Sequence, residues 1–260
     1  MREILEKVAE GKISIEEAER LLRALAIEEI GNLARIDVGR EYRKGIPEVI
    51  LAEGKTPEDL SKIAMKMLNE SGRSIVSRIT KEQIQTMVKS LPKDITSQIY
   101  EKPKMMVIKR KDFRVEKTGG KIGILTAGTS DIPVAEEARI IAEEMGCEVI
   151  TAYDVGVAGI HRLLPPLKKM ITEDVDVIIV VAGREGALPS VVAGMVDVPV
   201  IAVPTSIGYG LGEKGVSALM AMLQSCSLGL AVVNIDGGVA AGAIATLIAN
   251  RIARFKKKVK

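Results

Sequence analysis

The chain predicts an α/β protein in two parts: a C-terminal doubly wound parallel sheet with helices on both faces, preceded by a smaller mixed α+β N-terminal domain. Three observations predict it. From residue 119 onward, near-continuous Val/Ile runs alternate with helix-like runs, the pattern of strands buried on both faces. The same half holds 18 of the 24 glycines, set where one kind of run gives way to the other. Residues 1–118 are charged and glycine-poor, so the domains are placed at 1–118 and 119–260.

In the first part, a helix starts after Ser14, with Glu17 three residues on, a capping-box pattern. Residues 34–38 and 45–51 read as short strands joined by a basic loop carrying Arg40, Arg43 and Lys44. A second helix starts at Thr56-Pro57-Glu58, with proline in its first turn. Strands at 74–78 and 105–108 flank a helix at 81–90.

In the second part, the strand at 122–126 leads to a helix over 131–145, with Ala135, Ala138, Ala142 and Met145 as its apolar face. The strand at 148–152 precedes helical turns over 160–170. The strand at 175–182 precedes a helix near 189–193, and 200–203 precedes one at 214–225. The strand at 229–234 precedes a last helix, expected to present Ala241, Ile244, Ala245, Ile248 and Ile252 on one side. Strand and helix alternate throughout, which defines the doubly wound class.

Composition narrows the function. An apolar fraction of 47% and a charged fraction of 27% describe a folded globular chain. Residues 1–120 carry a net +4, residues 121–250 a net −7, and the last ten residues six basic side chains. With a total of only +3 and no basic stripe in the body, nucleic acid is not expected as a partner. The tail from Lys256 to Lys260 reads as a solvated helix end that suits the C-terminal dipole. The longest apolar stretch, 239–249, is too short for a bilayer, so no membrane partner is expected. The start, Met1 to Lys7, puts acids where a leader would be apolar; with two cysteines 79 positions apart, a reducing cytoplasm is expected.

Ligands of such sheets bind outside the carboxyl ends of the strands. Those ends carry Gly128-Thr129-Ser130-Asp131, then Tyr153-Asp154 running to His161-Arg162, then Arg184-Glu185-Gly186, then Thr205 to Tyr209, and Asp236-Gly237-Gly238. The first loop is a helix N-terminus that suits phosphate or carboxylate, or a plain helix cap by Ser130. It lacks the spacing of a Walker or dinucleotide fingerprint. His161, the one imidazole, is a candidate for anion binding or proton transfer. Glu185 reads as a general base or a solvated acid, and Tyr209 as a stacking platform or loop packing. One histidine and two distant cysteines build no zinc cage. Cys147 reads as buried packing. Cys226, at a helix–strand boundary, is the nucleophile candidate of a chain poor in reactive side chains.

Taken together, these loops, with Gly186-Ala187-Leu188-Pro189-Ser190, Pro204 to Gly210, Ser225-Cys226 and Val232 to Asp236, closely resemble the LarB family. Its members are pyridinium-3,5-biscarboxylic acid mononucleotide synthases of nickel-pincer cofactor assembly. The likeness extends into the N-terminal half at Asp37, Arg40, Arg43, Gly45, Pro47 and Glu48. The C-terminal half resembles, more distantly, the PurE family of aminoimidazole ribonucleotide carboxylases and mutases, through Ser130-Asp131, His161-Arg162 and Leu188-Pro189. PurE enzymes carry a catalytic histidine immediately before that Leu-Pro, where this chain has Ala187.

The resemblance implies a carboxylase/hydrolase acting on nicotinic acid adenine dinucleotide, with CO2 or bicarbonate as co-substrate and AMP as a product. It implies Cys226 as covalent nucleophile and Glu185 as base. It implies Gly128, Thr129, Ser130 and Asp131 against ribose phosphate or carboxylate, and Arg162 and Arg184 against anions. Asp154, His161, Thr205, Tyr209 and Asp236 complete the expected substrate site. Mg2+ is implied as an aid to anhydride cleavage, with no ligands assigned. A homo-oligomer is implied, and the alanine-rich last helix (Ala240, Ala241, Ala243, Ala245, Ala249) is either its contact or an internal one. The competing readings are a PurE-type carboxylase or mutase, a Cys-His hydrolase pairing Cys226 with His161, and a nucleotide sensor for which Cys226 is dispensable.

Overall fold

The computed structural model describes residues 2–23, 27–31 and 33–259; Met1 and Lys260, named at the two ends of the chain, lie outside them. The chain divides into two compact units, Met1–Arg114 and Val115–Lys260.

The first unit opens with α1 (Arg2–Ala9) and α2 (Ile15–Arg23). Ser14 caps α2, accepting the Glu17 N–H at 3.1 Å. The hairpin β1 (Glu28–Ile30) and β2 (Ala34–Ile36) follows. The expected basic loop is instead a short helix, α3 (Arg40–Lys44). Gly39 and Gly45 bracket it, and Gly45, at φ 69°, returns its N–H to the Glu41 carbonyl. The strand expected over 45–51 narrows to β3 (Val49–Leu51). Then come α4 (Pro57–Ser71), capped by Thr56, β4 (Arg73–Ser77) and α5 (Lys81–Ser90), closed by the Thr80/Gln83 capping box. β5 (Ile95–Tyr100) and β6 (Met105–Arg110) complete a four-stranded sheet of order β3-β4-β6-β5. β5 escaped the sequence because it is an edge strand of mostly exposed polar residues. Leu60, Ile63, Met67 and Met87 pack with Met106 and Ile108 as this unit's core.

The second unit is the doubly wound domain. Its strands are β7 (Lys121–Thr126), β8 (Glu148–Ala152), β9 (Val177–Ala182), β10 (Val200–Pro204) and β11 (Leu230–Val232). They lie all parallel in the order β8-β7-β9-β10-β11. Helices α6 (Ile132–Glu144) and α10 (Gly238–Val259) cover one face; α7 (Leu164–Thr172), α8 (Ala187–Ala193) and α9 (Val216–Leu223) cover the other. The order reverses at β7, whose neighbours β8 and β9 send the chain opposite ways, so a crevice opens at the carboxyl ends of β7 and β9.

One expectation about α10 changes. Its buried line is Ala241, Ala245, Ala249 and Ala253, while Ile244 faces solvent at 42% exposure. Ala241, Ala245 and Ala249 lie against α6 and the sheet within the chain, while Ala240 is exposed and Ala243 half-buried. The approach is close because both helices present small residues: a Cβ on Gly242 would stand 2.6 Å from the Ala138 carbonyl oxygen. Ile248, partly buried, packs against the edge of that core, while Ile244 stays outside it.

Candidate active site

Asp131 is the knot of the carboxyl-end loops. It is 4% exposed and enters α6 from a 3-10 turn over Thr129–Asp131. Its Oδ2 accepts the Gly128 N–H at 2.9 Å, and its Oδ1 accepts the Thr205 hydroxyl at 2.7 Å. The Gly183 N–H lies near enough to favour the charged carboxylate as well. One carboxyl group therefore bonds the loops after β7 and β10 together. Burial pushes its pKa above the usual 3.8, against the pull of those three donors, and the nearby Asp236 carboxylate pushes the same way. Asp236 itself accepts the Ser206 N–H at 2.8 Å and gives its own N–H to the Pro204 carbonyl at 2.9 Å, which joins the last two loops.

The loop after β8 is shaped by Asp154, which takes a left-handed backbone at φ 59°. Two contacts hold that conformation. The Asp154 N–H donates to the buried Thr126 hydroxyl at 3.0 Å, and its carboxylate accepts from Arg162 at 2.7 Å. The loop after β9 turns at Arg184, also left-handed at φ 53°. Its guanidinium lies 4.5 Å from the Tyr209 ring centroid and donates to the phenol oxygen at 3.1 Å, while its carbonyl accepts the Ser217 hydroxyl at 2.8 Å.

These loops enclose a cleft of about 250 Å3. Of the expected residues, Gly128, Ser130, Asp131, Arg162, Arg184 and Glu185 line it. Ala187 and Leu188, at the start of α8, line it too. Asp154, Thr205, Tyr209 and Asp236 stand behind these as supports for the loops. Thr129 and His161 are exposed and do not line the cleft. The two arginines that line the cleft fit an anionic group.

Cys226 is not brought to this cleft. α9 leaves from Gly215, beside Thr205, and its eight residues carry the chain about 12 Å back along the sheet. β11 then starts level with the start of β10, Leu230 opposite Val200. Cys226, between α9 and β11, is therefore at the amino end of the sheet, with its thiol exposed. His161 sits at the other end, so one chain does not pair them. Cys147 is buried, as expected, with its Sγ donating to Asn250 Oδ1 at 3.3 Å; burial pushes its thiol pKa up.

Sequence reasoning missed four supporting residues. Thr126 is a buried strand residue whose hydroxyl is indistinguishable from packing until Asp154 is seen above it. Gly183 and Gly156 allow close approach: a Cβ there would stand 2.4 Å from the Ile207 carbonyl oxygen and 2.6 Å from that of Ala127. Their signal was visible as glycines ending strands. Ser190 holds the Cys226 turn, a long-range contact with no local signature.

Among the described residues no group of three His, Cys, Asp or Glu side chains could hold a metal ion. Asp131 and Asp154 already spend oxygens on Thr205, Gly128 and Arg162. The described side chains do not fit a protein-built magnesium site, which needs several free oxygens around one point.

The fold and these strand-end loops define a PurE-related carboxylase and mutase class. The AIR carboxylase family model matches residues 121–260, and the LarB/PurE-like N-terminal domain model matches residues 27–111. The chain belongs to the LarB family, with a PurE-like C-terminal domain. It is 49% identical over 253 residues to "Uncharacterized protein MJ0165" of Methanocaldococcus jannaschii, covering 96% of each chain. It is 33% identical over 150 residues to the N5-carboxyaminoimidazole ribonucleotide mutase of the same organism, 54% of this chain and 90% of that one. The Thermotoga maritima mutase of that name is 26% identical over 150 residues, covering 54% and 85%. No helix among the described residues is long and apolar enough to cross a membrane.

Proposed function

We propose that the protein carboxylates C5 of the pyridinium ring of nicotinic acid adenine dinucleotide and cleaves its phosphoanhydride, giving pyridinium-3,5-biscarboxylic acid mononucleotide and AMP. The observation that carries this reading is Ala187. It lines the cleft immediately before Leu188-Pro189, where PurE enzymes place a catalytic imidazole, while Glu185 and two arginines remain. The cleft keeps PurE-like anion binding and lacks the PurE acid.

The chemistry follows from the ring. A pyridinium is electron-poor and does not attack CO2. Addition of the Cys226 thiolate to the carbon beside C5 moves an electron pair onto the ring nitrogen, leaving a neutral enamine that is nucleophilic at C5. C5 then forms a bond to CO2. Glu185 takes the C5 proton, and the nitrogen lone pair expels the thiolate as aromaticity returns. Sulfur suits the role because it both adds softly and leaves readily. Arg162 and Arg184 bind the carboxylate and phosphate groups.

This reading requires a second copy of the chain. Cys226 lies at the far end of the sheet from its own cleft, and beside it Val216, Met220, Leu223 and Leu228 form an exposed apolar strip. Such a strip suits burial against another copy, which would deliver Cys226 to a neighbouring cleft.

The test is incubation with nicotinic acid adenine dinucleotide and labelled bicarbonate. Label entering a pyridine dicarboxylate with AMP release is the expected result. AMP release without carbon fixation points to a hydrolase, and binding without turnover to a sensor. The mutase relatives favour a second reading, rearrangement of N5-carboxyaminoimidazole ribonucleotide; turnover of that compound in a parallel assay would replace the first.

A further inference from the structure

We propose that Ser190 is a positioning residue that clamps the Cys226 turn to helix α8, and this rests on the covalent role proposed above for Cys226. Ser190 sits inside α8, where a serine hydroxyl ordinarily returns to the carbonyl four residues back or points to water. Here it leaves its own helix. Its Oγ donates to Ser225 Oγ at 2.8 Å. Ser225 Oγ also accepts the Ser227 N–H at 3.2 Å, and Ser227 Oγ returns a bond to the Ser190 carbonyl at 2.7 Å. The ring closes on itself: one residue of α8 supplies both a donor and an acceptor, and the residues on either side of Cys226 take them. The three serines are half-buried, while the cysteine between them is exposed. The backbone of the nucleophile is thus held at both flanks, and only its side chain is left to reach outward.

Such a clamp has a chemical purpose. A thiolate that must add to one ring carbon gains rate from being held at the right place, and a displacement of about 1 Å can cost on the order of a hundredfold. The clamp needs nothing from the local sequence except small hydroxyl residues flanking the cysteine. Its third member comes from 35 residues earlier.

The test compares Ser190→Ala, Ser190→Thr and Cys226→Ala by steady-state carboxylation and by the rate of Cys226 alkylation with iodoacetamide. Ser190→Ala is expected to lose about ten- to a hundredfold in kcat with KM within about threefold. Its alkylation rate and melting temperature should stay near wild type, because the thiol remains present and exposed. Ser190→Thr, which keeps the hydroxyl, should recover most of the loss. Wild-type kcat in Ser190→Ala, while Cys226→Ala is inactive, would overturn the clamp and leave the covalent mechanism standing. Should Ser190→Ala fail to fold, the Ser225→Ala variant, which breaks the same ring from the exposed turn, carries the same expectation and the same refutation. An active Cys226→Ala would remove the covalent mechanism and the clamp's purpose together.

Discussion

Thr205 donates its hydroxyl to Asp131 across 2.7 Å, and both side chains are buried. This bond crosses from the exit of β10 to the entry of α6, over the crevice where the sheet order reverses. Replacing Thr205 with valine keeps the volume and deletes the donor. An unmet acceptor in a buried place costs about 1–3 kcal/mol, so denaturant unfolding should show a loss of that size. Unchanged stability would show that the bond contributes nothing net.

Asp131 also sets a pH dependence. Its folded pKa lies above the usual 3.8, so in the window between the two values the unfolded chain has lost its proton and the folded chain has not. The unfolded state then binds fewer protons, and stability falls as pH rises through that window. The difference in melting temperature between wild type and Asp131→Asn should therefore shift against wild type as pH climbs from about 4. A difference that is flat with pH, or of opposite slope, would show that the three donors outweigh burial.

Gly183 is intolerant of a side chain for reasons of space alone. An alanine Cβ would sit 2.4 Å from a backbone carbonyl and 2.6 Å from Thr205 Oγ1, and neither the backbone nor a buried threonine yields easily. Gly183→Ala should cost about 1–3 kcal/mol and displace the loop carrying Arg184 and Glu185. Thermal melts report the first effect, and titration with nicotinic acid adenine dinucleotide the second.

Tyr153 should ionise later than a solvated tyrosine. Its pKa is pushed up to about 12, first by burial and next by the Glu136 carboxylate that accepts its hydroxyl proton. Arg139 holds that carboxylate with two bonds, of 2.8 and 2.7 Å. The phenol's contribution to stability is present below its ordinary pKa of 10 and is lost as pH rises from there toward 12. Tyrosinate absorbance should show a late component that is absent from Tyr153→Phe. Identical titration curves for wild type and Tyr153→Phe, apart from amplitude, would show that neither burial nor the Glu136 contact holds the phenol proton.

Cys226 and Glu185 belong to opposite ends of one sheet, which gives a complementation test. Cys226→Ala and Glu185→Gln should each be inactive alone. Reassembled together, they should regain activity, because some clefts then receive an intact base from one copy and an intact thiol from another. No recovery in verified mixed assemblies would rule out delivery of the thiol by a neighbour.

Local patterns were legible wherever a single element carried its own signal. The Ser14 and Thr56 helix starts, the helix at 81–90 and the strand at 148–152 appear where hydroxyl caps and apolar runs put them. The face of α10 was legible in part: Ala241 and Ala245 are buried and Ile248 packs beside them, but Ile244, at the same helical spacing, is exposed.

By itself, the sequence determined the alternation of strand and helix, the parallel class of the sheet, and which loops fall at the carboxyl ends of its strands. These follow from hydrophobic period and chain direction, which are local properties. Only the tertiary structure decided which of those residues face one cleft. It joined Gly128, Arg162, Arg184 and Glu185 around Asp131, set His161 outside, and left Cys226 at the amino end of the sheet. The reason is geometric: adjacency between loops depends on strand order and on the run of α9 back along the sheet, and neither is written in the spacing of residues along the chain.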